Sequence, residues 1–445
     1  MPTLNADFHL RDLGLSNALG QDVLPRHRWY FVKEGFSPKL VEQAIATDNV
    51  RPGEVLLDPF SGSGTVPLTA ALGGLKARGF EVNPFLRFLS ATKLRQASPT
   101  ALRVASSRIL RAMERPSPSP LEGCSTFTKG NRWERRLFPL PVIRAFEAGR
   151  RALPTADPDV RALLRLALLG AAMDCCNAAR DGKCLRYAKN WRNHQPRIRQ
   201  FRERFESRTD IIGADLATTP LNAARASILL GDARRLVAKA SKEKFRLCVT
   251  SPPYLNSFDY SDVYRPELFL GGFVRSNRSL MKIRLQTIRS HVQANWEPPK
   301  KEHFGTLYDN CIEEIRDYAD TLWDPRLPTM IQAYFEDMEG VLRGLRQRAH
   351  TNASLWLVVS TSAYAGVEVP DDLILAEIGQ RSGWFLREVG VLRYLRSSSQ
   401  HVQHVEEQER KSVPLRESVV ILDASKRQSN TQKATTQPWR TTSMN

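Results

Sequence analysis

The chain has 445 residues, 42% of them hydrophobic, and carries 65 Lys/Arg against 47 Asp/Glu for a net charge of +18. That apolar fraction excludes wholesale disorder, and at roughly 150 residues per domain the length calls for two or three domains. No apolar run approaches the roughly 20 residues that cross a bilayer, and the surplus positive charge points to a polyanion, either nucleic acid or an anionic membrane surface.

The N-terminus is charged and has no apolar core of a secretory signal. The six cysteines, at 124, 175, 176, 184, 248 and 311, include no CxxC pair. Free thiols in a reducing cytoplasm are expected, with neither a disulfide framework nor a structural zinc.

In chain order, residues 1–50 form an N-terminal segment. Residues 51–94 begin an α/β core: strand Val55-Leu-Leu-Asp58, turn Phe60-Ser-Gly-Ser-Gly-Thr65, helix Val66–Leu75, strand Ala77–Val82. Such alternation predicts a βαβ unit and a parallel sheet. Residues 95–210 differ. Ala101–Arg115 and Val160–Arg180 have helical spacing, broken by Pro116-Ser-Pro-Ser-Pro120. From Arg95 to Asp210 there are 24 Lys/Arg and 11 Asp/Glu, so 24 − 11 = +13 of the surplus lies in this helical insertion.

The α/β pattern is expected to resume over 211–264, with strand Ile228–Leu230 before Gly231-Asp232 and strand Phe245–Thr250 before Ser251-Pro-Pro-Tyr254. Residues 265–328 read as a second, mixed insertion and a candidate DNA-recognition element. The core closes over 329–424, with helix Met330–Arg348, strand Ser354–Ser360, helix Asp371–Ser382 and strands Phe385–Leu395 and Ser418–Leu422 around a charged loop, Arg396–Arg416. The Ser/Thr/Gln/Lys-rich end, 425–445, reads as a disordered tail.

Two segments carry chemistry. In Asp58-Pro-Phe-Ser-Gly62-Ser-Gly64-Thr65, glycines between strand and helix let backbone approach a ligand, and Glu81 ends the next strand, where ribose hydroxyls are usually held in a doubly wound sheet. Pro67 occupies the third glycine position of the dinucleotide fingerprint, and no GKS/T is present, so neither that motif nor a P-loop is complete. In Thr250-Ser-Pro-Pro-Tyr254, two prolines hold the backbone extended at a strand's end. That rigidity suits a flat heterocycle bearing an exocyclic amine: Ser251 and the Pro252 carbonyl accept its hydrogens while Tyr254 stacks on the ring.

With these residues in view, the chain resembles the DNA amino-methyltransferases, which methylate cytosine N4 or adenine N6. The resemblance implies a Rossmann-like α/β S-adenosylmethionine-dependent methyltransferase sheet with helical and mixed insertions. It implies that Asp58, Phe60, Gly62, Gly64 and Thr65 form the cofactor loop, that Glu81 in Glu81-Val-Asn-Pro84 takes the ribose, and that Asp232 faces the adenine amino group. Phe36 and Ser37, in Arg26-His-Arg-Trp-Tyr-Phe-Val-Lys-Glu-Gly-Phe-Ser-Pro38, would lie at the methionine end. Ser251, Pro252, Pro253 and Tyr254 would form the catalytic tetrapeptide. Ser at 251 resembles the cytosine-N4 members; adenine N6, on DNA or RNA, is the alternative. The expected partner is double-stranded DNA, with room for a cognate restriction or phage-defence nuclease.

Candidate phosphate contacts are Arg132, Arg135, Arg136, Arg186 and Lys189. The long basic insertion follows the second strand, where many relatives place recognition after the third, so which insertion reads DNA stays open. No Pro-Cys occurs, which disfavours methylation of a ring carbon; an amine attacks a sulfonium methyl directly, so positioning and electrostatics dominate. The target base must leave the stack at a cost of a few kcal/mol. His401-Val-Gln-His404 lacks a third ligand, so no metal is expected. Cys175-Cys176 reads as core. Asn256–Tyr264 either forms part of the target pocket or covers it. Two other classes compete: a nucleic-acid-binding protein on an inactive methyltransferase core, disfavoured by the intact motifs, and a nicotinamide enzyme, disfavoured by the missing glycine.

Overall fold

The computed structural model describes residues 3–8, 15–18, 20–123, 137–155, 157–181, 184–193, 196–221, 226–239, 243–395 and 415–426. Their strands are β1 (Leu4–Asn5), β2 (Val55–Asp58), β3 (Lys76–Glu81), β4 (Ala178–Asp181), β5 (Cys184–Tyr187), β6 (Ala226–Leu230), β7 (Phe245–Thr250), β8 (Ala349–Ser360), β9 (Ser362–Tyr364), β10 (Val367–Val369), β11 (Phe385–Leu395) and β12 (Leu415–Asp423). Their helices are α1 (Pro38–Thr47), α2 (Thr65–Leu72), α3 (Pro84–Lys93), α4 (Pro99–Met113), α5 (Leu140–Arg151), α6 (Pro158–Asp174), α7 (Ile198–Thr218), α8 (Ala233–Ala238), α9 (Tyr260–Val263), α10 (Arg265–Leu270), α11 (Asn277–Arg284), α12 (Thr306–Asp317), α13 (Leu327–Arg348) and α14 (Asp371–Arg381).

One eight-stranded sheet runs β6-β3-β2-β7-β8-β12-β11-β1. The strands from β6 to β8 are mutually parallel. β12 runs antiparallel between β8 and β11. This is the Rossmann-like methyltransferase sheet, with its last strand slotted in reversed. Both faces are covered, so the central strands are apolar throughout: β2 is buried along its length. Leu56, Leu247 and Val249 pack with α1 and α2, while Val55, Leu57 and Cys248 pack with α12, α13 and α14.

The local chemistry of several helix starts is simple. Ser37, Asn83, Ser98 and Asp157 each accept a backbone N–H at an N-cap followed directly by proline. The side-chain oxygen satisfies an orphan donor, and proline's fixed φ suits the first helical position.

The helical insertion has its own core. Leu102, Ile109, Phe146, Leu164, Leu168, Phe201 and Phe205 pack together, joined by Trp29, Tyr30, Phe85 and Leu268. Some of its arginines are held in internal pairs, Arg144–Glu122, Arg150–Glu147, Arg202–Glu114 and Arg208–Asp174, whose acids the +13 already subtracts.

Several expected boundaries move. The helix read over Val160–Arg180 ends at Asp174, and Ala178–Asp181 is instead a strand of the β4-β5 hairpin. α7 continues to Thr218, past the expected restart of the core at 211. The segment 265–328 is not one unit. Leu268, Val274 and Leu280 belong to the helical core, whereas Phe304, Tyr308, Ile312 and Ile315 pack under the sheet. Apolar periodicity is the same in both halves; only burial separates them. β1, only two residues long and so without a period that a sequence can reveal, pairs with β11 at a sheet edge. Arg132, Arg135, Arg136, the loop with His401 and His404, and all but the first two residues of the expected tail lie outside the described residues.

Candidate active site

Strand order reverses between β2 and β7: the chain leaves β2 toward β3 and β6, then returns to β7 on β2's other side. Crevices at the carboxyl ends of such strands are where ligands bind in open α/β sheets. Both motifs end these two neighbouring strands, Leu57 pairing with Cys248 in register. Thr250 Oγ1 donates to Asp58 Oδ1 at 2.7 Å, tying the two loops together. Here a cavity of about 370 Å³ opens.

On the glycine-loop side, Asp58, Phe60, Gly62, Thr65 and Glu81 line the cavity. The Glu81 carboxylate accepts from the backbone N–H of Gly62 at 2.8 Å and of Asn83 at 2.7 Å. Burial outweighs these bonds and pushes its carboxyl up to about 7. Asp58 is lifted to about 7 by burial as well; bonds from Thr250 and Phe60 pull it down, and the Glu81 charge pushes it further up. Gly62 adopts φ +48, and a Cβ built there meets nothing nearer than 4.0 Å. Gly64 is different: it does not line the cavity, and its Cβ would fall 2.3 Å from Ser90 Oγ. It allows the packing of α2 on α3.

Asn83 lines the cavity and is buried; its Oδ1 caps α3, but its Nδ2 has no acceptor among the described residues. An orphaned buried donor beside a carboxylate, above an open glycine, fits a ligand rich in hydroxyl and acceptor groups. Asp232 also lines the cavity, and both its carboxylate oxygens are held by the Arg234 side chain. Of the N-terminal segment, Ser16, Asn17 and Val32 to Phe36 reach the cavity, whereas Ser37 is the N-cap of α1. Upstream, the buried Arg26 holds the carbonyls of Lys93, Arg95 and Thr219, and Asp215 receives Arg28 and the Trp29 indole. That stretch anchors the segment to the helical body.

Opposite lies the tetrapeptide, all four residues lining the cavity. The hydroxyls of Ser362 and Tyr364 both donate to the Leu255 carbonyl, the latter at 2.9 Å, which fixes the exit of the loop. Tyr254 Oη donates to Glu417 Oε1 at 3.3 Å, and Arg393 Nε donates to Glu417 Oε2 at 2.5 Å. Arg393 and Glu417 are cross-strand partners on β11 and β12 and line the same cavity. Burial drives the Tyr254 hydroxyl well above the usual tyrosine range, and the Glu417 charge adds to the push.

Asn256, Phe258, Tyr260, Ser261 and Tyr264 complete the wall, with Ile283 of α11 and, after that helix, Gln286, Thr287 and Ile288. Tyr264 donates to Glu34, a cavity residue from the N-terminal segment, at 2.7 Å. Glu34 and Asn83 sit inside motifs quoted from sequence, so their neighbours could have pointed to them. Arg393 and Glu417 carried no sequence signal, since only sheet pairing brings them here. Of the basic candidates, Arg186 and Lys189 are exposed on and just after β5 and do not line the cavity. Arg180 is inward, paired with Glu267 of α10 and stacked 4.4 Å from the Tyr264 ring.

Residues 25–116 match the family described as UPF0020, RMKL-like, methyltransferase domain. The Type II methyltransferase M.AvaI of Nostoc sp. (strain PCC 7120 / SAG 25.82 / UTEX 2576) is 25% identical over 396 residues, spanning 83% of this chain and 81% of that protein. The Type II methyltransferase M.BsoBI of Geobacillus stearothermophilus is 22% identical over 424 residues, spanning 84% and 81%. A solved structure of the rRNA methyltransferase aviRa from Streptomyces viridochromogenes covers 87% of this chain and 85% of its own at 12% identity, with a TM-score of 0.28. At so low a score the fold rests on the strand order alone. The chain carries a Rossmann-like methyltransferase sheet and is similar over most of its length to type II methyltransferases, and together these imply S-adenosylmethionine as methyl donor.

Proposed function

We propose that the protein transfers a methyl group to the exocyclic amine of a base flipped out of duplex DNA, and that the base is cytosine, methylated at N4. The observation that carries this reading is the meeting of the cofactor loop and Ser251-Pro-Pro-Tyr254 in one cavity at the switch point. The type II relatives and the +18 net charge favour DNA as the polymer.

When bound, S-adenosylmethionine supplies an electrophilic methyl on a sulfonium. Glu81, the Gly62 backbone and Asn83 would hold its ribose, Phe60 and Asp232 its adenine side, and Phe36 its methionine end. Ser251 and the Pro252 carbonyl accept the hydrogens of the amine, which turns its lone pair out of the ring's conjugation. Tyr254 packs on the base, its hydroxyl tethered to Glu417, and Arg393 fixes that carboxylate in turn. Catalysis in this site is positioning plus a desolvated polar frame, with no covalent enzyme intermediate.

Purified protein with isotope-labelled S-adenosylmethionine and duplex DNA tests this, with the products digested to nucleosides and weighed by mass spectrometry. N4-methylcytosine is expected. N6-methyladenine alone refutes the base, and label absent from DNA refutes the polymer.

A further inference from the structure

Helix α11 and the residue after it present an unusual stripe. Arg278, Met281, Lys282 and Leu285 follow i, i+3, i+4, i+7 spacing and so share one face. All four are exposed, Met281 by 37% and Leu285 by 43%. The opposite side is anchored. Leu280 is in the helical core, and Arg284 pairs with Asp259 at 2.6 Å while its Nε donates to Ser261. The helix reads Asn277-Arg-Ser-Leu-Met-Lys-Ile-Arg284, with three cations and no acid. Its C-terminal end meets the active site, since Ile283, Gln286 and Thr287 line the cavity. Leu285 therefore stands between two cavity-wall residues but faces outward.

Resting on the DNA reading above, we propose that this face of α11 enters the duplex beside the target base, Met281 and Leu285 filling the space the base vacates and Arg278 and Lys282 gripping the flanking phosphates. The chemistry commits to duplex DNA. A flipped base leaves its neighbours unstacked, and proteins that hold DNA so distorted insert Met or Leu as wedges. Methionine's flexible, polarizable side chain conforms to an irregular gap. An acid-free basic margin on the same stripe complements the phosphates on either side of that gap. Placement at the rim of the cavity puts the wedge where extrusion must begin.

The test uses the full chain and a duplex oligonucleotide carrying the sequence that the protein modifies in the DNA of expressing cells. Two double variants are compared, M281A/L285A and R278A/K282A; the side chains are exposed, so both are expected to melt with the wild type. M281A/L285A is expected to lose about tenfold or more in kcat/KM on the matched duplex, and to recover to within about threefold of wild type when the target base is mispaired, because a mispaired base is cheaper to extrude. R278A/K282A is expected to lower the log–log salt slope of binding by roughly 1.8, at about 0.9 per phosphate, without rescue by the mispair. A loss in M281A/L285A that the mispair leaves unchanged, or no loss at all, overturns the wedge. An unchanged slope in R278A/K282A overturns the phosphate contacts. If the wild type transfers no label to any DNA, the DNA reading itself fails, an outcome distinct from either.

Discussion

Glu81 offers a direct check on the cofactor side of the site. In the free protein its carboxyl is lifted to about 7, burial outweighing the N–H bonds from Asn83 and Gly62. The ionised form accepts both of those donors and keeps lone pairs for ribose hydroxyls; the protonated form has turned one oxygen into a donor. At pH 8 roughly nine-tenths is ionised, and at pH 6 roughly one-tenth, so cofactor affinity should weaken about tenfold between these values. The sign in the free protein runs the other way. Between the ordinary value of 4.5 and about 7 the folded chain holds the proton that the unfolded chain has released. The contribution of Glu81 to stability without cofactor should therefore fall as pH rises through that window and level off above it, read as the difference between wild-type and Glu81→Gln melts. Calorimetric titration at pH 6, 7 and 8 reads the first effect, and melting curves without and with cofactor read both. Glu81→Gln should bind weakly, because the two N–H groups reach different carboxylate oxygens and the amide replaces one of them with a donor, and its pH slope should shrink to what Asp58, lifted to the same value, contributes. Wild-type affinity that is flat from pH 6 to 8, or an unchanged slope in Glu81→Gln, refutes the placement of Glu81 against the ligand.

The two loop glycines should respond oppositely. Gly62→Leu meets open space but at φ +48 carries backbone strain of about 1 kcal/mol, and is expected to abolish cofactor binding in a protein that still folds, whereas Gly64→Ala, at φ +85 and also 2.3 Å from Ser90 Oγ, should lower stability by about 1–3 kcal/mol; calorimetry and thermal melts on both separate the roles. Glu417→Ala removes the acceptor shared by Tyr254 and Arg393. Turnover is expected to drop roughly ten- to a hundredfold with cofactor affinity unchanged, and a loss that appears in affinity alone would show Glu417 to be part of the cofactor site.

Local chemistry made the core legible in sequence. Val55–Asp58 with its glycine turn, Asn83-Pro84 at a helix start, and the proline pair after Thr250 each specify their own backbone, so the elements and both motifs could be read one by one. That Asp58 and Thr250, 192 positions apart in the chain, hydrogen-bond to each other follows from strand order, a property of the whole sheet. The same is true of Arg393 and Glu417, which look like ordinary strand residues until β12 inserts beside β11 and brings them to Tyr254. The division of 265–328 between helical body and sheet layer also depends on partners far along the chain, as does the pairing of Arg234 with Asp337. Short-range steric and capping preferences are written in neighbouring residues. Burial, and with it the raised carboxyls of Asp58 and Glu81, exists only once distant segments have excluded water together.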